Sequence, residues 1–267
     1  MSISIFLILL LVGCVVGFLA GFFGVGGGVI LVPVLISFFE LQKFNPNIIT
    51  QMAMGTSLFI VIFASISSAI KHKKNGNVYI RGVLYIGIAS ILGAAIGSVI
   101  AASLSGEILR KIFGFAVLLV AIRLLVEKSS AEQKENFRPH RTKLIIIGTT
   151  VGILSSLTGI GGGVFAVPLM YYLANFPIKQ AIGTSSATVI ITATSAVIGY
   201  IFNGLHNNLL PEFTLGYVNY LHAIPLIIGT AGLARYGAMV ANKTSSLWLR
   251  KLFAIFLIIN SLYMFLK

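Results

Sequence analysis

Two glycine clusters are the residues in this chain whose types and spacing could do chemistry. Gly24-Val25-Gly26-Gly27-Gly28, followed by Pro33, returns 135 residues later as Gly159-Ile160-Gly161-Gly162-Gly163, followed by Pro168. Behind each stands a second triplet, Gly55-Thr56-Ser57 and Gly183-Thr184-Ser185. A glycine run leaves backbone N–H groups unscreened by side chains. A helix that starts there adds unpaired first-turn donors and the positive end of its dipole. Two such starts brought together would hold a small anion, as in transporters with discontinuous helices, with the hydroxyls of Thr56, Ser57, Thr184, Ser185 and Ser186 as further donors. Taken singly, such glycines more often serve close helix packing, and Gly-Thr-Ser ordinary interhelical hydrogen bonding. The repetition of the whole set is what favours a site. A dinucleotide-binding loop would need a βαβ context that the composition forbids.

The elements that must position these clusters are long apolar runs. Hydrophobic residues make up 57% of the 267 and charged residues 9%, with mean hydropathy +1.01. A soluble domain carries roughly 25% charge, so this is an integral membrane chain. The runs lack strand-like alternation, which predicts an all-α polytopic protein of eight to ten membrane segments. Spanning runs are expected at 3–22, 48–70, 78–102, 108–126, 178–202, 219–241 and 247–266. The stretches flanking the glycines are shorter, and Val29 to Phe39 is too short to cross at about 1.5 Å per residue. Each glycine cluster is therefore expected to be the tip of a helical hairpin that stops inside the membrane.

The duplication reaches the ends of both halves, where Leu109-Arg110-Lys111 is echoed by Leu249-Arg250-Lys251. The expected organisation is one transport domain: a first repeat over 1–126, a polar cytoplasmic linker over 127–143 and a second repeat over 144–267. Charge distribution separates two topologies. Leaving out Arg123 and Arg235, which fall within helices, if each glycine segment is a hairpin the repeats are inverted and thirteen Lys and Arg lie inside against four outside. If each is one broken crossing, the repeats are parallel and the split is ten to seven. Inverted pseudo-symmetric repeats are the expectation. Positive loops also imply a plasma or bacterial inner membrane, which the lack of a transit segment supports.

Composition excludes several functions. The net charge of +13 sits in short connections rather than along one face, which argues against nucleic acid. One cysteine, Cys14, excludes an intrachain disulfide and a cysteine metal cluster. Leu11-Val12-Gly13-Cys14 resembles a lipoprotein cleavage box, but the run belongs to the repeat. All six acidic residues lie in connections or at helix ends, and there is no aspartate. That argues against a cation site and against a carboxylate proton relay. No metal centre, cofactor site or nucleophile–base pair is recognisable, so an enzyme is not expected. Arg235 is expected to snorkel, and His222 to mark a membrane interface. The hydroxyls at 65, 67, 68, 188, 192, 194 and 195 are expected to pack helices.

Paired G-x-G-G-G-x-x-x-x-P segments, each followed by G-T-S, resemble the TauE/SafE family of sulfite and organosulfonate permeases over nearly the whole chain. The resemblance implies a secondary carrier that moves sulfite, an organosulfonate or a related sulfur-containing anion by alternating access. It also implies substrate contacts at Gly24, Gly26, Gly27, Gly28, Gly55, Thr56 and Ser57, and at Gly159, Gly161, Gly162, Gly163, Gly183, Thr184 and Ser185. The first cluster is preceded by Phe23 and the second begins after Thr158, so the two halves of the site are expected to be unequal. An uncoupled anion channel and a carrier of a non-sulfur small anion are the alternatives. The expected partners are the small anionic substrate, the lipid bilayer and, as an open option, further copies of the chain.

Overall fold

A computed structural model describes residues 3–23, 26–126, 139–244 and 246–266. Among these are ten helices: α1 (Ile3–Phe23), α2 (Gly28–Leu41), α3 (Pro46–Lys74), α4 (Ile80–Ser103), α5 (Gly106–Val126), α6 (Arg141–Thr158), α7 (Gly163–Ala174), α8 (Ile178–Gly204), α9 (Tyr220–Lys243) and α10 (Ser246–Leu266). Five contain stretches long and apolar enough to cross a membrane, in α1, α3, α4, α8 and α9. At 21 residues each, α5 and α10 match that length, about 31 Å. Large apolar side chains cover the outer faces of α1, α4 and α5, with Leu11, Ile88, Leu92 and Phe115 more than half exposed, as a surface solvated by lipid requires.

Helix boundaries follow from local chemistry. Asn45 caps α3, its side chain accepting from the Asn47 N–H at 3.0 Å, with Pro46 in the first turn. Lys71, Lys73 and Lys74 close α3 at its negative dipole end. A boundary differs from the sequence reading. Helix α6 begins at Arg141, inside the stretch read as linker, because a polar first turn extends a helix past its apolar run; Arg141 lies 5.8 Å from the centre of the Tyr85 ring. The rest of that linker, 127–138, lies outside the described residues. The connection before α9 holds a small antiparallel pair, β1 (Thr214–Leu215) and β2 (Val218–Asn219), in a fold that is otherwise all-α, as expected.

Small residues set the two closest helix pairs. On α1, Gly13, Gly17 and Gly21 recur every four residues and meet the backbone of Leu226, Thr230 and Ala234 in turn. Rising numbers meet rising numbers, so α1 and α9 run parallel. On α4 and α6 the same arrangement recurs: Gly148 faces Ile86 and Ala89, Gly152 faces Ser90, and Ser156 donates to the Ala94 carbonyl at 3.0 Å. Lipid offers no hydrophobic drive for helix association, so backbone approach at small residues supplies the contact.

The centre of the bundle is α3 against α8. Tyr200 lies against Met54 and Gly55, whereas Ser186 lies 3.3 Å from Ser68. As numbers rise on α3 they fall on α8, so these two helices are antiparallel. Ser67 donates to the Ala231 carbonyl and the Asn219 N–H donates to Thr56, which makes α3 and α9 parallel. Helices α5 and α10 pair outside this core, with Ser261 donating to the Gly114 carbonyl at 2.8 Å.

Candidate functional site

The two glycine tips meet halfway along α3 and α8. A Cβ placed on Gly26 would lie 2.8 Å from a Val61 methyl and 3.6 Å from Val189; one on Gly161 would lie 2.6 Å from Val61 and 3.3 Å from Val189. Val61 and Val189 each stand six residues after a Gly-Thr-Ser glycine. The tips also touch one another, since a Cβ on Gly28 would sit 2.5 Å from the Ile160 Cα and carbonyl oxygen. Every tip glycine described, from 26 to 28 and at 159 and 161–163, is buried. Gly24 lies outside the described residues.

Glycine is required at the tips for its conformation. Gly26 and Gly27 have φ of 78° and 85°, and Gly161 and Gly162 both have 87°, the left-handed region that side chains disfavour. Gly27 and Gly162 are then the N-caps of α2 and α7, and neither helix start has a side-chain cap. The third amide of each helix bonds back to its cap, Ile30 to the Gly27 carbonyl at 3.0 Å and Phe165 to that of Gly162 at 3.1 Å, so the first two amides of each are the donors left at two positive helix ends in one buried place.

The Gly-Thr-Ser triplets hold the tips from behind. Gly55 lets the Tyr217 carbonyl approach to 2.6 Å of where its Cβ would be, and Gly183 does the same for Asn77 at 2.3 Å. The oxygen of Thr56 accepts from the Asn219 N–H at 2.9 Å and that of Thr184 from the Tyr79 N–H at 3.0 Å, fixing the chain where it enters α9 and α4. Ser57 donates to the Gly159 carbonyl at 2.9 Å, tying α3 to the second tip, and Ser185 lies 3.5 Å from the Gly163 carbonyl. The Ser57 hydroxyl proton is thereby engaged by backbone. Replacing Thr56 with valine keeps shape but leaves the buried Asn219 amide without its acceptor, a loss of about 1–3 kcal/mol. A thermal-unfolding series should rank Thr56→Val well below Thr56→Ser, and equal midpoints for the two would remove this role.

Two residues outside the motifs lie beside the tips. Ser65 and Ser155 are buried, and their hydroxyls have no hydrogen-bond partner. The Ser65 oxygen lies 3.1 Å from the Cβ position of Gly26, and the Ser155 Cβ 3.4 Å from that of Gly162. Sequence reading took Ser65 for helix packing. Its neighbours fit that role: Ser67 bonds α9, Ser68 lies beside Ser186, and Thr192 donates to Ser90 at 2.7 Å. The signal that separates Ser65 is its spacing of four residues from Val61, visible only once Val61 is known to face the tips.

The halves differ where Phe23 stands opposite Thr158. Phe23 stacks on Phe256, whereas Thr158 donates to the Leu154 carbonyl of its own helix at 2.6 Å. Arg235 is exposed and lies 5.1 Å from the centre of the Tyr236 ring. His222 lies among Phe38, Phe39 and Phe44, its Nδ1 2.9 Å from Asn219 Oδ1. Of the described carboxylates, Glu40 pairs with Arg110 at 3.3 Å and Glu107 with Lys111 at 2.6 Å, both at helix ends. Among the described residues, no group of three His, Cys, Asp or Glu could hold a metal ion. A cavity of about 790 Å³ lies beside Phe165, Pro168 and Leu154, but its lining is almost wholly apolar and suits an acyl chain better than an anion.

The profile of the family described as "Sulfite exporter TauE/SafE" matches residues 9–264. The chain is 35% identical over 263 residues to a probable membrane transporter protein of Haemophilus influenzae, covering 98% of each. It is 30% identical over 261 residues to one of Methanocaldococcus jannaschii, covering 97% of this chain and 95% of the relative. A third, from Bacillus subtilis, is 29% identical over 94% of this chain and 96% of its own length. No solved structure matches the chain. With its buried glycine tips, ten helices among the described residues and a profile match over nearly its full length, the chain belongs to the TauE/SafE family and is a multi-pass membrane transporter.

Proposed function

We propose that the protein is a carrier of a small oxyanion, with sulfite or an organosulfonate as the best-fitting cargo, captured where the two glycine tips meet. The observation that carries this reading is the convergence of two uncapped helix N-termini on one buried point between Val61 and Val189. Backbone donors and dipole ends there favour negative charge, and no carboxylate of the described residues competes for them. Ser65 and Ser155 add buried hydroxyls that lack acceptors, which a sulfur oxyanion would supply. The family's description as sulfite exporters points the same way.

The antiparallel run of α3 and α8, equivalent helices of the two halves, supports inverted repeats. Parallel repeats would bring equivalent helices into the same direction. The tips touch and are fully buried, an occluded arrangement that favours a carrier over an open channel. Release then requires the halves 1–126 and 144–267 to rock apart on either side of the tips.

The test is thermal unfolding of the purified protein in detergent with sulfite, sulfoacetate, sulfate, chloride and acetate. A ligand bound only by the folded state at a hundred times its Kd stabilises by about 2.7 kcal/mol. Sulfite or sulfoacetate should raise the midpoint where chloride and acetate do not. Equal midpoints with all five anions at millimolar concentration would sink the reading.

A further inference from the structure

The face of α3 that carries Val61 continues toward the end of the helix through Ser65, Ser68 and His72. Their spacings from Val61 of four, seven and eleven residues place all four on one stripe. Val61 touches both glycine tips, and His72 lies about 16 Å further along the axis, in the turn that carries Lys71, Lys73 and Lys74. All three polar residues are buried: Ser65 is 1% exposed, Ser68 3% and His72 3%. Ser65 Oγ and both ring nitrogens of His72 have no hydrogen-bond partner, while Ser68 lies 3.3 Å from Ser186 Oγ across the contact with α8.

The equivalent stripe on α8 is built differently. Val189, Ala193, Ala196 and Tyr200 occupy the same register, and the Tyr200 hydroxyl donates to the Ser156 carbonyl at 2.7 Å. One side of the tips is thus apolar and closed by a satisfied tyrosine. The other is a line of buried polar groups in which Ser65 and His72 lack partners and Ser68 is paired with Ser186 across the helix contact. Buried polar atoms are almost always satisfied, and an ionisable residue inside a membrane bundle marks a path for ions or polar solutes.

We propose that Ser65, Ser68, Ser186 and His72 line the half of the permeation path joining the glycine tips to the membrane face that bears Lys71, Lys73 and Lys74. The translocating oxyanion takes hydrogen bonds from these side chains as it leaves or enters the tips. This assignment rests on the anion-carrier reading for its cargo, but the path itself is testable without one.

The experiment is cysteine accessibility in the full-length protein, in proteoliposomes, on a Cys14→Ser background. Ser65→Cys, Ser68→Cys and His72→Cys are compared with Ala193→Cys and Ala196→Cys, using an anionic sulfonatoethyl methanethiosulfonate and its trimethylammonium counterpart. Cysteines at 65 and 72 should react at least tenfold faster with the anionic than with the cationic reagent, and at least tenfold faster than those at 193 and 196. Ser65→Cys is nearly isosteric and decides the matter alone if His72→Cys does not fold. Labelling at 65 no faster than at 193 overturns the proposal, as does faster reaction with the cation. Labelling of the stripe without stabilisation of the unmodified protein by sulfite keeps the path and removes the cargo. Stabilisation by sulfite with an unreactive stripe removes the path and keeps the cargo.

Discussion

Gly28→Ala should reduce sulfite flux in proteoliposomes by on the order of a hundredfold while leaving a folded protein. Gly28 is the first residue of α2 and is helical, so alanine suits its backbone; in a helix alanine is favoured over glycine by about 1 kcal/mol. The added methyl, however, would lie 2.5 Å from both the Cα and carbonyl oxygen of Ile160 and 2.7 Å from its carbonyl carbon. All three are backbone atoms, so no rotamer change can relieve the contact and the tips must separate by about 1 Å. A displacement of that size in a site built from fixed donors is commonly worth about a hundredfold. Gly161→Ala tests the same site by another route. There the left-handed φ of 87° costs about 1–2 kcal/mol, and the new methyl meets a side chain, Val61, at 2.6 Å. Val61→Ala should therefore restore part of the activity of Gly161→Ala and none of that of Gly28→Ala, a difference a double-mutant cycle reads directly. Flux for Gly28→Ala within twofold of wild type would mean that the meeting of the tips is not where the anion is held.

Gly21→Ala should cost fold rather than flux. Its Cβ would stand 1.7 Å from the Ala234 carbonyl oxygen and 2.6 Å from the carbonyl carbon, so α1 and α9 must part along their contact. Overpacking in a closed core costs about 1–3 kcal/mol, and a contact this short between two helix backbones belongs at or above the upper end. In a membrane interface built on small residues nothing else compensates the lost approach. The matching control is Gly232→Ala on α9, where a Cβ meets open space and the helix gains up to about 1 kcal/mol of propensity. Size-exclusion profiles and thermal midpoints in detergent should show Gly21→Ala aggregated or strongly destabilised and Gly232→Ala unchanged or slightly raised. Equal midpoints for the two would refute the backbone contact on which the α1–α9 pairing rests.

The Gly13, Gly17 and Gly21 ladder was readable in the sequence as a four-residue repeat of small residues, yet nothing there names its partner. That partner, α9, lies more than two hundred residues away, and only helix direction and depth in the bundle bring Thr230 opposite Gly17. The Gly-Thr-Ser triplets carry the same lesson. Their hydroxyls read as donors to an anion; in the structure the oxygens of Thr56 and Thr184 also accept from the N–H groups of Asn219 and Tyr79, just ahead of α9 and α4, and Ser57 donates to Gly159. Those partners are 163, 105 and 102 residues distant, beyond any local pattern.

Composition and spacing alone were enough for the membrane as solvent, the helical class, the recurrence of the glycine motifs and the positions of the two glycine breaks. Each follows from composition or from spacings within one run, which local physical chemistry controls. Tertiary structure decided that the breaks meet between Val61 and Val189, that α3 opposes α8 in direction, and that Ser65 and His72 are buried without partners while their α8 counterparts are satisfied or apolar. Those facts depend on which helix faces meet across the two halves. That choice is fixed by backbone approach at small residues and by cross-helix hydrogen bonds, neither of which leaves a periodic trace in the chain.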